Sequence, residues 1–565
     1  MAGETKDSFK LALAQANPVV GDLDGNLETA LRLRDRFADE GADLVVFSEL
    51  FLTGYPLEDL VLKPALQRSA REACEALAER TGDGGPAVLM GLPWADGWAD
   101  GSADGGKVYN AVALLAEGGI AAVRTKHVLP NYGVFDEKRV FAPGPIPEPI
   151  SFGGLNLGVP ICEDIWEEDV CTSLARSGAD ILIVPNGSPY WMGKQAIRYG
   201  VVGARVAETK RPLVYLNQFG GQDELVFDGA SFVFNADGSC AVQMPAWEDA
   251  GLVTDWRREA DGWHCVPGEI VPIEAGEAAN YLACVTGLRD YINKNGFPGV
   301  VLGLSGGIDS ALCAAMAVDA LGADRVHCIM LPYAYTSSAS LTDAEQIAKA
   351  LGVRYDTVPI HDGVDGLGAC LSGVLGGMPD GFTAENLQSR TRGTLLMAVS
   401  NKLGPLVLTT GNKSEVSVGY ATLYGDMNGG FNPIKDLYKG QVYALSRYRN
   451  KNRPKGCLGP DGVIIPENVL TKDPSAELKP DQRDVDSLPP YPVLDDILNC
   501  LVEQELSVPE IVARGHPLET VKKVERMLYL AEYKRRQAAP GVKITERNFG
   551  RDRRYPITNK FRETV

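Results

Sequence analysis

The chain has 565 residues, 45% of them hydrophobic and 23% charged, with a formal charge of −19 and a pI near 4.9. This length exceeds one ordinary hydrophobic core and favours two large domains or roughly three to four smaller ones. The acidic balance argues against a nucleic-acid partner, because phosphate backbones attract basic surfaces. Any phosphate-bearing ligand is therefore expected to be small and held by a local site.

The sequence predicts a cytoplasmic protein with no membrane partner. It has no apolar run of about 18 residues or more, as a transmembrane helix requires, and the N-terminal segment MAGETKDSFK lacks the apolar core of a secretory signal. The 11 cysteines and 5 histidines are scattered, without CxxC pairs. This pattern suits reduced thiols better than a disulfide framework or a zinc site.

The first half of the chain alternates short apolar runs with helical stretches, which predicts an α/β domain over residues 1–245. The segment 246–273 is irregular and contains proline and tryptophan, and we interpret it as a linker or docking segment. The predicted strands of the first half are 44–49, 87–93, 109–116, 157–163, 181–186 and 212–218.

Three reactive side chains lie at ends of these runs. Glu49 ends the run LVVFSE, Lys126 follows a strand, and Cys162 follows LGVPI. Strand ends commonly carry catalytic groups in α/β sheets. Taken alone, however, Cys162 reads more readily as a core residue, because free cysteine is among the most buried residue types. Its neighbours Glu163 and Asp164 would not stabilise a thiolate.

The motifs FSELFLTGYPLED (47–59), KHVLPNYGVFDEKRVF (126–141) and GVPICEDIWEED (158–169) resemble the nitrilase superfamily, whose αββα sandwich carries a Glu–Lys–Cys triad. The resemblance implies that Cys162 is the nucleophile and Glu49 the general base. Lys126 would be the cation that lowers the thiol pKa and stabilises the oxyanion. Glu137 resembles an additional glutamate that positions the lysine and the substrate.

For a nitrilase domain that releases ammonia from glutamine, the same resemblance implies a glutamine-binding set. Lys194 would meet the substrate α-carboxylate and Glu163 its α-ammonium group. The glutamine contacts implied in this way are Tyr132, Ser188, Lys194, Tyr55 and Glu163.

From residue 274 the pattern restarts and predicts a second domain over 274–565. Apolar runs at 299–305, 326–332 and 354–360 alternate with helical stretches at 276–296, 309–322 and 340–352. This βαβ alternation predicts a parallel sheet with helices on both faces. After Tyr443 the chain becomes rich in proline, lysine and aspartate, which predicts long loops before a helical tail.

The stretch LGLSGGIDSAL (302–312) lies where a predicted strand meets a helix, at a position that favours anion binding. Gly306 and Gly307 allow close backbone approach, while Asp309 would repel phosphate unless it ligates Mg²⁺. No Walker or dinucleotide fingerprint is present in it. The predicted ATP-binding loop comprises Ser305, Gly306, Gly307, Ile308, Asp309 and Ser310.

The SGGxDS motif resembles the pyrophosphate loop of N-type ATP pyrophosphatases, an adenine-nucleotide α-hydrolase-like fold. The segments 385–397, 409–442, 472–478 and 533–540 resemble the NAD synthetase branch. This implies Mg²⁺ ligation by Asp309 and Glu415, and further ATP contacts at Arg390 and Thr410. Implied contacts to deamido-NAD are Asn386, Glu415, Asp426 and Lys534, with Lys439 as a less secure addition.

The combination of both halves resembles the family of glutamine-dependent NAD synthetases. The resemblance implies substrates L-glutamine, ATP and deamido-NAD, a protected route for ammonia, and a homo-oligomer that pairs synthetase domains or is larger. Three alternatives stay open at this point. They are a glutaminase fused to a GMP or asparagine synthetase type, a nitrilase-type amidase with a regulatory nucleotide domain, and a non-catalytic nucleotide sensor.

Overall fold

The structure, a computed structural model, describes residues 7–97 and 106–563. The chain divides into two compact units. Among these residues, the first unit comprises 7–97, 106–222 and 226–274, and the second comprises 223–225 and 275–563.

The first unit is built from sheets covered by helices. Its strands are β1 (Ser8–Gln15), β2 (Leu44–Val46), β3 (Ala87–Ala95), β4 (Val108–Ala116), β5 (Gly119–Thr125), β6 (Ile150–Phe152), β7 (Leu155–Gly158), β8 (Ile181–Asn186), β9 (Leu213–Asn217), β10 (Phe219–Gln222), β11 (Leu225–Asp228), β12 (Phe232–Phe234), β13 (Cys240–Gln243), β14 (Ala250–Glu259) and β15 (Gly262–Cys265). Its helices are α1 (Leu23–Asp39), α2 (Pro64–Arg80), α3 (Glu137–Val140), α4 (Glu168–Arg176) and α5 (Lys194–Thr209), with 3-10 turns at Glu58–Leu62, Thr81–Asp83 and Cys162–Ile165.

Two of these sheets form a sandwich. One has the strand order β15-β14-β1-β2-β3-β4-β5 and the other β13-β12-β9-β8-β7-β6. Alternate side chains of both sheets meet in one apolar core that includes Leu11 and Val46 from the first sheet and Leu157 and Ile183 from the second. Helix α2 packs on the first sheet and α5 on the second. The predicted αββα sandwich is confirmed.

The interpretation of 246–273 as a linker is wrong. Half of that segment is β14 and β15, and β14 pairs antiparallel with the full length of β1, from Ser8 opposite Arg257 to Gln15 opposite Ala250. Trp256 and Trp263, which suggested an irregular segment, are buried in the sandwich core. The first unit accordingly extends to Glu274.

The second unit contains a smaller sheet and many helices. Its strands are β16 (Val300–Gly303), β17 (Val326–Met330), β18 (Arg354–Thr357) and β19 (Leu406–Val407). Its helices are α6 (Glu277–Lys294), α7 (Ile308–Leu321), α8 (Ser338–Leu351), α9 (His361–Leu375), α10 (Gly381–Leu403), α11 (Lys413–Val418), α12 (Lys439–Lys451), α13 (Glu467–Thr471), α14 (Tyr491–Val502), α15 (Val508–Ala513), α16 (Leu518–Leu530) and α17 (Glu532–Arg535), with 3-10 turns at Ala323–Arg325 and Asp484–Asp486.

The sheet of the second unit is parallel throughout, in the order β18-β17-β16-β19. Helices α9 and α10 contribute to an apolar cluster with Val301 and Ile329 of the sheet, while α7 packs against β16, α6 and α12. The predicted parallel-sheet domain is confirmed. A separate apolar cluster joins α11 to α14, α15 and α16, and so fixes the short helix that carries Glu415.

Within the parts of the chain that the structure describes, no helix has the length and apolar character needed to cross a membrane.

Candidate active sites

In the first unit, Glu49 and Lys126 meet at the ends of β2 and β5. Lys126 Nζ lies 2.7 Å from Glu49 Oε1, and both side chains are fully buried. The peptide around Glu49 passes so close to β3 that a Cβ on Gly91 would lie 2.3 Å from the Ser48 oxygen, which requires glycine there. The sheet therefore fixes the predicted base against the predicted cation.

Glu137 closes this group from the other side. Its carboxylate oxygens lie 3.0 and 2.9 Å from Lys126 Nζ, and Oε1 also accepts a hydrogen bond of 3.1 Å from the Tyr55 hydroxyl. Burial raises the pKa of Glu137 to about 7, although Lys126 pulls in the opposite direction. Burial alone would lower the pKa of Lys126, but Glu137 and Glu49 raise it well above its usual value, so the lysine stays charged.

Cys162 sits at a sharp turn four residues beyond β7. It opens the 3-10 turn Cys162–Ile165 with a φ of 45°, in the left-handed region that non-glycine residues rarely adopt. Only 6% of the residue is exposed. Strained backbone of this kind persists only where the surroundings determine it.

As expected, Lys126 lowers the pKa of the Cys162 thiol, but in the unliganded site other effects outweigh it. Burial and the Glu49 carboxylate raise the pKa of the Cys162 thiol well above its usual value, and the opposing effect of Lys126 is smaller. The resting nucleophile is therefore a protonated thiol beside a base.

The two acidic neighbours of Cys162 have different environments. Glu163 is buried and accepts hydrogen bonds of 2.9 and 3.1 Å from the hydroxyl of Tyr132, a residue that is 53% exposed. Asp164 is fully buried and accepts hydrogen bonds only 2.7 to 3.1 Å long from the backbone N–H groups of Ile161, His127 and Val128. Glu163 thus faces the side of the site that Tyr132 borders, whereas Asp164 faces the protein frame.

The predicted glutamine contacts Ser188 and Lys194 lie at opposite ends of the loop after β8. The backbone of Ser188 is held by Arg198, which donates a hydrogen bond of 2.8 Å to its carbonyl oxygen and pairs with Asp228 at 2.8 Å. Lys194 Nζ lies 4.2 Å and 3.7 Å from the ring centroids of Trp166 and Trp191. The aromatic rings hold this ammonium group in place.

Sequence reasoning missed two groups that fix the general base. Asn110 Nδ2 donates a hydrogen bond of 2.7 Å to Glu49 Oε1, and the Gly187 N–H donates one of 2.9 Å to Oε2. A Cβ on Gly187 would lie 2.6 Å from the Tyr55 ring. Asn110 lies inside the predicted strand 109–116 and Gly187 directly follows a predicted strand, and neither carries a chemical signature that would have revealed this role.

In the second unit, the loop between β16 and α7 has the predicted strand–turn–helix form. Gly306 has a φ of 76°, and a Cβ there would lie 2.3 Å from the Ser340 oxygen. Ser305 Oγ accepts a hydrogen bond of 3.2 Å from the Gly307 N–H and lies 3.0 Å from Ser310 Oγ. The loop is therefore folded around its own hydroxyl groups at the N-terminus of α7.

Asp309 and Glu415, the predicted Mg²⁺ ligands, lie on either side of one ammonium group. Lys439 Nζ is 2.6 Å from Asp309 Oδ2 and 3.1 Å from Glu415 Oε1. Burial raises the pKa of Glu415 to about 7, against the effect of Lys439. Asn412, which sequence reasoning missed, donates a hydrogen bond of 2.8 Å to Asp309 Oδ1. The two carboxylates thus form a cation-binding position, which the ammonium group of Lys439 occupies.

A cavity of about 460 Å³ lies above these groups. The segment 472–478 lines it along its whole length, and Glu477 is held there because its Oε1 accepts hydrogen bonds of 2.8 Å from Ser337 and Ser340. The predicted site residues that line the cavity are Ser305, Gly307, Ile308, Asp309, Ser310, Asn386, Thr410, Glu415, Asp426, Lys439 and Lys534.

Arg390 is not among the residues that line this cavity, and its contact with ATP stays a prediction. Its side chain is exposed and donates a hydrogen bond of 3.2 Å to the Leu423 carbonyl oxygen. Arg392, one half-turn further along α10, lines a neighbouring cavity of about 240 Å³ that also includes Thr410 and Asp426. Residues two apart on a helix point to different sides, so Arg390 and Arg392 have different surroundings.

The remaining predicted contacts lie on one wall of the larger cavity. Asn386 Oδ1 accepts a hydrogen bond of 3.0 Å from Thr422 Oγ1, and Lys534 Nζ donates to the carbonyl oxygens of Gly419 and Ala421 at 2.8 and 2.6 Å. Burial raises the pKa of Asp426 to about 6. The structure brings these groups together with the loop residues around one space.

Comparison with known proteins gives matches for both units. The family model for carbon-nitrogen hydrolase matches residues 10–259, and that for NAD synthase matches residues 281–538. The chain is 52% identical over 557 residues to the glutamine-dependent NAD(+) synthetase of Rhodobacter capsulatus, covering 99% of each. It is 43% identical to that of Acinetobacter baylyi, covering 98% of this chain and 99% of the relative.

A solved structure supports the same assignment. The glutamine-dependent NAD+ synthetase of Acinetobacter baumannii in complex with ADP is 42% identical, with a TM-score of 0.77, and the match covers 98% of this chain and 99% of that chain.

Fold, sites and matches together define a glutamine-hydrolysing ligase, in which a nitrilase-type glutaminase unit and an NAD-forming unit share one chain. The chain belongs to the glutamine-dependent NAD(+) synthetase family. This assignment sets aside the fusions to other synthetases and the regulatory or sensory alternatives.

Proposed function

We propose that the enzyme releases ammonia from L-glutamine through a Cys162 thioester and amidates deamido-NAD through an acyl-adenylate. The products would be glutamate, NAD, AMP and pyrophosphate. The proposal rests on one observation above all. Each unit holds a buried lysine between two carboxylates. One of these groups lies beside Cys162, and the other lies at the loop Ser305–Ser310.

In the glutaminase step, Glu49 takes the thiol proton as Cys162 Sγ attacks the amide carbon of glutamine. The raised pKa of the thiol favours proton transfer during the attack over a preformed thiolate. Lys126 stabilises the negative oxygen of the tetrahedral intermediate. The leaving nitrogen takes a proton and departs as ammonia, and Glu49 then activates the water that hydrolyses the thioester.

Recognition of glutamine would depend on two opposite charges. Lys194, held between two indole rings, meets the α-carboxylate, and Glu163, oriented by Tyr132, meets the α-ammonium group. Ser188 and Tyr55 would complete the contacts. An amide that lacks both α-substituents would leave Lys194 and Glu163 without substrate partners.

In the synthetase step, the loop Ser305–Ser310 would hold the ATP phosphates through its backbone N–H groups and hydroxyls. Asp309 and Glu415 fit a Mg²⁺ site, because two carboxylates supply the oxygen ligands that this ion prefers and already surround the ammonium group of Lys439. Bound Mg²⁺ would neutralise phosphate charge. Asn412 orients Asp309, and Asn386, Asp426 and Lys534 would contact deamido-NAD.

The test is product analysis with both nitrogen donors. The protein is incubated with deamido-NAD, ATP, Mg²⁺ and either glutamine or ammonium, and the products are measured by mass spectrometry. We expect NAD, AMP and pyrophosphate in equal amounts in both reactions, with glutamate only in the first. ADP and phosphate in place of AMP and pyrophosphate would rule out the acyl-adenylate.

We propose that ammonia reaches the second site without mixing with solvent. At pH 7 free ammonia is mostly protonated, so an unprotected intermediate would lose its reactivity. With unlabelled glutamine and ¹⁵N-ammonium present together, NAD should carry mainly the unlabelled nitrogen. Labelling in proportion to the solvent ammonium would contradict protected transfer.

We also propose a homo-oligomer in the cytoplasm. The 11 cysteines are free thiols, which supports a reducing compartment, and the oligomer is implied by resemblance to the family. Light scattering of the purified chain tests the second point, and a mass of one chain at working concentration would contradict it.

A further inference from the structure

The carboxylate of Asp164 joins two pieces of backbone that are far apart in sequence. Its Oδ2 accepts a hydrogen bond of 2.9 Å from the Ile161 N–H, directly before Cys162. Its Oδ1 accepts bonds of 3.1 and 2.7 Å from the N–H groups of His127 and Val128, directly after Lys126. One side chain thus spans the backbone of the nucleophile and the backbone of the cation.

Both connected pieces need such support. Cys162 adopts a φ of 45°, and its turn is otherwise closed by backbone bonds such as that from the Asp164 N–H to the Ile161 oxygen. Residues 127 and 128 lie immediately beyond β5, where pairing with β4 has ended. An irregular segment held by few bonds would let a side chain drift by an ångström, which costs about a hundredfold in rate where alignment matters.

Carboxylate chemistry suits this role better than an amide would. Burial raises the pKa of Asp164, and the N–H groups of Val128 and Ile161 work against that rise by stabilising the charged form. An ionised carboxylate accepts on both oxygens, whereas an amide accepts on one only. The negative charge of Asp164 is therefore stabilised by backbone N–H groups.

We infer that Asp164 is a positioning residue of the glutaminase, which fixes Cys162 relative to Lys126 without contacting the substrate. This inference goes beyond the proposed chemistry by assigning the alignment of nucleophile and cation to a side chain that takes no part in it. It rests on the proposed role of Cys162.

The test compares Asp164→Asn and Asp164→Glu with the unaltered chain. In Asp164→Asn the amide nitrogen faces one of the N–H donors, and in Asp164→Glu the carboxylate is displaced by one methylene. We expect kcat for glutamine hydrolysis to fall about 10- to 100-fold in both, while ammonium-driven NAD synthesis stays within twofold. Asp180→Asn is the matched control, because Asp180 also accepts a backbone N–H, that of Asn156, but is remote from Cys162 in the fold.

A second measurement separates positioning from unfolding. Each Asp164 variant is combined with Cys162→Ala, and the stoichiometry and Kd of glutamine binding are measured by calorimetry against Cys162→Ala alone. Positioning predicts unchanged stoichiometry and a Kd within about threefold. The inference is overturned if Asp164→Asn keeps kcat within twofold, or if both variants lose kcat only in proportion to lost binding stoichiometry. If Cys162→Ala alone still hydrolyses glutamine, the proposed chemistry fails instead.

Discussion

The two sites use one arrangement, a lysine between two carboxylates, in opposite surroundings. In the first unit Lys126 lies between Glu49 and Glu137, whose side chains are 0% and 7% exposed. In the second unit Lys439 lies between Asp309 and Glu415, whose side chains are 18% and 17% exposed and line a cavity. The charges and distances are alike, but the first group is buried more deeply than the second.

This difference separates a permanent cation from an exchangeable one. Removing Lys126 from its buried position would leave two carboxylates in a medium that stabilises neither, so its charge is part of the fold. The carboxylates around Lys439 can instead bind another cation from the cavity, provided the ammonium group moves. The first site thus has its cation built in, and the second is open to Mg²⁺.

The largest expected effect comes from removing the nucleophile, which should disable the first site and leave the second intact. Cys162→Ala should lower glutamine-driven NAD synthesis by a factor of about 10⁴ or more, because no other group forms the thioester. Ammonium-driven synthesis should remain within twofold. Both rates are measured by NAD formation on one preparation, with the core substitution Cys171→Ala as control. Normal glutamine-driven synthesis by Cys162→Ala would show that the triad assignment is wrong.

The next effect acts on the second site alone. Asp309→Asn should reduce AMP formation about 100- to 1000-fold with either nitrogen donor, since it removes one proposed Mg²⁺ ligand and the partner of Lys439. The variant should still bind glutamine with an unchanged Kd. Asp324→Asn, in the turn after α7, is the control. AMP release at the normal rate would remove Asp309 from the metal site.

Most of the first site can be predicted from the sequence because its reactive residues lie at strand ends. Glu49, Lys126 and Cys162 were found from that placement together with motif resemblance, and the structure joins the first two directly. Asn110 was not found. Its role depends on the register of β4 against β3, which no local pattern reports.

The errors have physical causes of the same kind. The linker prediction failed because local composition does not reveal pairing with a strand 239 residues away, as between Leu13 and Leu252. The sequence also did not show that burial of Cys162 and the Glu49 carboxylate raise the thiol pKa by more than Lys126 lowers it. The sequence does not show whether Glu163 or Asp164 faces the substrate. The two residues are adjacent, but their side chains leave the turn in different directions.

A third prediction sharpens the comparison through stability. Lys126→Met should lower the free energy of unfolding of the first unit by about 3–5 kcal/mol, as expected when a buried charge loses its partner. Lys439→Met should cost less, because Asp309 and Glu415 are partly exposed. Millimolar Mg²⁺ should restore stability to Lys439→Met but not to Lys126→Met, as measured by urea unfolding with and without the ion. Equal rescue of both variants would contradict the distinction.

The smallest expected effect concerns pH and stability. The pKa of Glu137 is raised from its ordinary value of 4.5 to about 7, so the folded chain binds this proton more tightly than the unfolded chain does. Its contribution to the unfolding free energy is therefore fully present below pH 4.5 and is lost as the pH rises through about 7. The rate of glutamine hydrolysis should instead rise as the pH rises through about 7, because the ion pair with Lys126 requires the ionised Glu137 carboxylate.

The same titration distinguishes the two sites when Mg²⁺ is varied. Glu415 also has a pKa raised to about 7, but its proton competes with any cation that enters the cavity. ATP–pyrophosphate exchange in the presence of deamido-NAD should decline below about pH 7, and higher Mg²⁺ should move that decline to lower pH, because bound metal favours the ionised carboxylate. Glutamine hydrolysis should decline below about pH 7 at every Mg²⁺ concentration, because Glu137 is buried and already paired with Lys126. A decline that moves with Mg²⁺ in both assays, or in neither, would mean that burial does not separate a permanent cation from an exchangeable one.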